Sequence, residues 1–139
     1  MSASEKAKLH IRSAVKNDGG DEESISYTVV GEYLKTNEGF SISYNEITES
    51  GKANCQMLVS ADTVTVERRG AIASRIVFQE GREHSSIYSM GGFSFDMTVK
   101  TKKTKIELTE NGGRLALQYE MTVGGADKAV HFSVRVEKA

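Results

Sequence analysis

The chain has no proline, no tryptophan and a single cysteine, and none of its apolar runs approaches the roughly 20 residues that a membrane-spanning helix requires. Each shortage closes a route. A lone Cys55 cannot form an internal disulfide, so the fold has to hold without one. No proline- or serine-rich tract marks a linker, so residues 1–139 are expected to form one domain, long enough to bury most of a core without a structural metal. Charge of one sign is also lacking: 18 basic and 19 acidic residues leave a formal net charge of −1, which offers no broad attraction for nucleic acid or an anionic membrane. The opening MSASEKAKLH contains neither an apolar h-region nor a cleavage-like site, so nothing in it suggests secretion, and a reducing cytoplasm is the simplest compartment.

What the chain has instead is alternation. Phe93, Phe95, Met97 and Val99 alternate with polar residues, as do Leu115, Leu117, Tyr119, Met121 and Val123, and then Val130, Phe132, Val134 and Val136. Earlier segments follow with more noise, from Leu9 and Ile11 through Tyr27 and Val29, Ile42 and Tyr44, Cys55 and Met57, Val64 and Val66, to Ile76 and Phe78. A period of two in short runs means strands with one dry and one wet face. The segments between them, among them NDGGDEE, TNEG, TESGK, QEGRE, MGG, KTKK and ENGG, are too short for crossover helices, which predicts a meander of antiparallel hairpins. Such a meander hides its apolar face by closing into a barrel or by folding into two packed sheets, and closure also removes the edges. The expectation is an all-β, single antiparallel up-and-down barrel of roughly 8–10 strands, with a sandwich as the alternative.

The stretch GKANCQMLVSADTVTVERRGAIASRIVFQEG, followed by YSMGGFSFDMTVKT and GGRLALQYEM, carries an ordered series of features. Gly51-Lys52 opens a strand, Arg68 precedes Gly70, and Phe78, Gly81, Tyr88 and Thr101 follow before Gly113 leads to Leu115 and Tyr119. Over nearly the whole chain this series resembles the bacterial domain of unknown function 1934, the YwiB-like family. The resemblance implies a calycin-like β-barrel, related in architecture to lipocalins and fatty-acid-binding proteins, and brings no established activity. In that family the turn after the Tyr88 position often holds proline and one glycine, whereas this chain has Met90-Gly91-Gly92. The Gly-x-Trp of lipocalins is missing, and Arg135 is followed by Val136 and Glu137 rather than the Arg-x-Tyr of fatty-acid-binding proteins. The resemblance lends a fold but no ligand.

Parity points to candidate site residues. If Val64 and Val66 face inward, so does Arg68, and a buried guanidinium needs a carboxylate, backbone carbonyls or an anionic ligand. The parity that turns Tyr88 inward also turns His84 and Ser86 inward. One reading is a cavity in which Arg68 holds an acidic head group, Tyr88 and Tyr119 orient it, and Phe78, Phe93 and Phe95 supply apolar wall, with His84 on the same lining. The other places Arg68 at a strand end, paired with a nearby Glu, in a barrel filled by its own side chains.

No Gly-x-Ser-x-Gly elbow is present, and His10, His84 and His131 lack metal-ligand spacing, so no catalytic residue, metal or cofactor is expected. Cys55 reads as a small core residue. The basic run Lys100 to Lys105 reads as a charged hairpin end, and DGGDEES lacks the spacing of an EF-hand. The two adjacent glycines in IYSMGGFSFDMTV are followed by a strand rather than a helix, which rules out a phosphate cradle. The dry parity shifts across them, as a two-residue hairpin placing Met90 opposite Phe93 and Tyr88 opposite Phe95 requires.

The functional expectation is a non-enzymatic module that binds a small apolar or amphipathic molecule, with no nucleic-acid or membrane partner. The alternative is a filled barrel that acts through an outer patch near Val30 and Leu34. An enzyme would need His84 and a carboxylate within reach in one cavity.

Overall fold

A computed structural model describes residues 5–48 and 51–138. The N-terminal residues 1–4 and part of the TESGK turn lie outside the described residues. The strands are β1 (Glu5–Asn17), β2 (Glu22–Lys35), β3 (Phe40–Thr48), β4 (Gly51–Val59), β5 (Thr63–Gly70), β6 (Ile72–Gln79), β7 (Glu83–Met90), β8 (Phe93–Thr109), β9 (Gly112–Val123) and β10 (Ala126–Lys138). Each pairs antiparallel with its neighbours in the chain, and β1 pairs with β10 to close the barrel. The meander therefore ends as a barrel and not a sandwich. Closure follows from the pattern: Leu9 meets Val136, Ile11 meets Val134 and Val15 meets Val130, so the dry faces of the first and last strands are already in register.

The inward residues of one end pack solidly. Leu9, Ile42, Met57, Val64, Leu115 and Val134 are fully buried. Tyr33 stacks on Phe40 with ring centroids 5.3 Å apart, and its hydroxyl donates to the Thr109 carbonyl at 2.8 Å. The outer wall carries charge, with Lys8, Arg12, Lys105, Arg114 and Arg135 on the wet faces, as a wall facing water does. No helix among the described residues is long and apolar enough to cross a membrane.

Two expectations about the turns meet different outcomes. The Gly91-Gly92 hairpin forms with Met90 opposite Phe93 and Tyr88 opposite Phe95. Its two glycines have φ of 61° and 84°, the positive pair that a tight hairpin turn with right-handed strand twist demands. KTKK is not a connection. β8 runs straight through it, and a register shift between Thr101 and Lys103 takes up one extra residue. That bulge lets Lys102 and Lys103 both face water while Thr101 and Thr104 keep their positions toward the inside.

Candidate functional site

The barrel is unevenly zipped. β2 pairs with β3 only from Glu32 to Lys35, against Phe40 to Ser43. At Gly31 the two strands come so close that a Cβ would sit 2.3 Å from the Ser43 carbonyl oxygen and 2.7 Å from Leu9, so only glycine fits. Beyond that crossing, the first half of β2 and the end of β3 part without a ladder between them. The space so opened is a cavity of about 600 Å³. Its apolar wall includes Ile11, Ile25, Val29 and Phe132, and its polar lining includes Tyr27, Tyr44, Glu46, Arg68 and Tyr119.

The centre of the lining is an ion pair. Arg68 Nε donates to Glu46 Oε1 at 2.8 Å, and both side chains are mostly buried, at 21% and 18% exposed. Strand register builds the surroundings: Cys55 lies opposite Arg68 on one side and opposite Tyr44 on the other. Burial opposes the charge on Arg68, but the hydrogen-bonded Glu46 carboxylate beside it outweighs that and holds the guanidinium protonated. Burial pushes the Cys55 thiol up, against the pull of Arg68, so the thiol stays protonated and unreactive. The hydroxyls of Tyr44, Tyr27 and Tyr119 are likewise raised, chiefly by burial, with Glu46 adding to the effect at Tyr44 and Tyr27. Among the described residues, Ser74 Oγ and Thr101 Oγ1 are buried without a hydrogen-bond partner. They stand on the dry face, Ser74 opposite Arg68 and Thr101 opposite Tyr119.

The candidate residues divide into three groups. Arg68 and Tyr119 line the cavity. Phe78 packs beneath it, buried opposite Val64 and tilted against Tyr119 at 4.6 Å, so it supports the site without walling it. Tyr88 is half-buried against the core, and His84 turns inward between β6 and β7. The His84 ring is already engaged: its Nδ1 accepts from the Val77 amide at 3.5 Å, where the β6–β7 ladder has thinned to two residue pairs. No carboxylate pairs with His84 among the described residues, so the arrangement that an enzyme reading requires is not assembled there.

Phe93 and Phe95 do not wall the interior. They have the inward parity, but β7 and β8 run past the packed layer, leaving Phe93 70% exposed at the hairpin and Phe95 partly exposed. The outer patch expected near Val30 and Leu34 is reduced to an exposed Val30, since Leu34 is half-buried.

Glu46, Tyr44, Tyr27 and Cys55 were not among the sequence candidates for the site. Parity could have found Glu46, because in SISYNEIT it shares a face with Ile42 and Tyr44, which makes it an inward acid available to an inward Arg68.

The "Uncharacterized beta-barrel protein YwiB" of Bacillus subtilis (strain 168) is 29% identical to this chain over 123 residues, which is 88% of this chain and 86% of that protein. The crystal structure of ywiB protein from Bacillus subtilis superposes with a TM-score of 0.90 at 26% identity, covering 98% of this chain and 93% of that one. The family model described as "Domain of unknown function (DUF1934)" matches residues 9–135. With that match spanning most of the chain and the barrel shared with YwiB, the protein belongs to the DUF1934 family.

Proposed function

We propose that the barrel is a non-enzymatic binding module that admits a small amphipathic molecule between β2 and β3, its polar end on Glu46 and Arg68 and its apolar body against Ile25, Val29 and Phe132. The observation that carries this reading is the ion pair on the lining of a cavity of about 600 Å³ in a barrel otherwise packed with apolar side chains. Well-packed apolar residues in place of a buried ion pair are often neutral or stabilising, so stability alone gives little reason to keep one. A concave, mainly apolar space with a few convergent polar groups is what a small-molecule site requires. The buried free thiol of Cys55 fits the reducing cytoplasm as the working compartment.

The test is native mass spectrometry of protein purified from its own cells, together with fluorescence titration by the neutral probe phenylnaphthylamine. A retained small molecule, saturable probe binding, and at least about tenfold weaker probe binding by Val29→Trp, which fills the cavity, are the expected results. Absence of both retained molecule and probe binding, or a Val29→Trp barrel that binds the probe as tightly as the parent, overturns the reading.

A further inference from the structure

We infer that the head group this cavity selects is electrically neutral and presents a hydrogen-bond acceptor beside a donor, as a primary amide does, and that a free carboxylate is selected against. This rests on the binding reading above and specifies its ligand.

The inference follows from how the ion pair is used. Glu46 already neutralises Arg68. Among the described residues, every other side chain on the cavity lining is apolar, hydroxylic or an amide, so the described lining carries no net charge. The tyrosines do not alter this, since their hydroxyls are held protonated well above neutral pH. An anionic head group would gain Arg68 as a donor but would stand beside the Glu46 carboxylate in a partly desolvated space, where like charges repel far more strongly than in water. It would leave the lining with one uncompensated negative charge.

A neutral group faces no such opposition and finds complementary partners. Arg68 uses only Nε on Glu46, and its two terminal amino groups have no other oxygen partner among the described residues. Glu46 accepts from Arg68 on Oε1, and its other partner is the Cys55 thiol, a weak donor that leaves the carboxylate room for a stronger one. An amide carbonyl accepts from the guanidinium while the amide NH₂ donates to Glu46 more strongly than a thiol can, so one planar group serves both partners. Carboxylates supply the acceptor but not the donor. The site therefore differs from one built around an unpaired arginine, where an acid is the natural ligand.

Displacement of bound phenylnaphthylamine by octanamide and by octanoate, which share one chain and differ in the head group, tests this at neutral pH. The unmodified protein is expected to bind octanamide about tenfold or more tightly than octanoate. Glu46→Gln keeps an acceptor for Arg68 Nε and removes the negative charge, so it should reverse that order. Octanoate binding as tightly as octanamide to the unmodified protein overturns the inference and leaves the binding reading standing. A folded Glu46→Gln protein with the original preference also overturns it, because the selectivity would then not come from the ion pair. Failure of both compounds to displace a saturably bound probe overturns the inference together with the amphiphile reading. The comparison on the unmodified protein decides the matter by itself if Glu46→Gln does not fold.

Discussion

The inward side chains of β5 are Val64, Val66 and then Arg68, and those of β3 are Phe40, Ile42, Tyr44 and then Glu46. Two halves of one barrel are written along the same strands. Near the β2–β3 turn the interior is hydrocarbon closed by the Tyr33–Phe40 stack, while toward the Gly91-Gly92 hairpin it turns polar and opens where β2 and β3 separate. Each buried apolar side chain of the first half contributes about 1.5–3 kcal/mol by leaving water. The second half has less of that gain, from residues such as Ile72, Met97 and Val130, and holds a buried ion pair whose desolvation largely offsets its attraction. The difference teaches that hydrocarbon burial is concentrated at one end of the barrel, while the other end carries polar groups that do not maximise stability.

The largest expected effect tests the packed half directly. Leu115→Ala removes a fully buried side chain and should cost about 2–5 kcal/mol in urea unfolding, whereas Ile25→Ala on the exposed rim should cost below about 1 kcal/mol. Equal losses at the two positions would erase the distinction between the halves.

Next comes Glu46→Ala, which leaves the Arg68 guanidinium buried without its carboxylate and should lower unfolding free energy by about 1–3 kcal/mol, given that both side chains keep some solvent contact. The double change Glu46→Leu with Arg68→Met should recover most of that loss in the same assay while abolishing the amide preference. A double variant no more stable than the single one would assign the ion pair to structure.

Alkaline pH should separate the halves more gently. Tyr33, Tyr44, Tyr119 and Cys55 all have proton affinities raised by burial, Tyr33 up to about 12, from ordinary values of 10.0 for tyrosine and 9.0 for cysteine. The folded state thus holds protons that the unfolded chain releases. Their stabilising contribution is complete below about pH 9 and declines as pH rises toward 12 and beyond. Urea midpoints measured across that range should fall, and Cys55→Ala should flatten the earliest part of the decline. The smallest effect is expected for Phe93→Ser, within about 0.5 kcal/mol by thermal unfolding, because its ring is already mostly in water.

Much of the barrel was legible from particular residues. The parity shift between Tyr88-Met90 and Phe93-Phe95 sufficed to read the Gly91-Gly92 hairpin with its register. The run KTKK misled because a bulge and a turn both interrupt alternation with polar residues, and only the partner strand distinguishes them: β9 continues opposite, with Gln118 facing Lys103. Arg68 was readable as inward, but its partner was not, since β3 and β5 are separated by β4 and the ion pair spans 22 positions in sequence. Phe93 shows the converse limit, in that parity tells which way a side chain turns but not whether the barrel still has depth at that height.

The sequence by itself determined the strands, their faces and the hairpin order, because alternation and turn chemistry act between residues close along the chain. Only the tertiary structure decided where β2 leaves β3, which charges meet inside and how much space remains between them. Those depend on the stagger of strands around a closed barrel, and closure couples residues as distant as Leu9 and Val136.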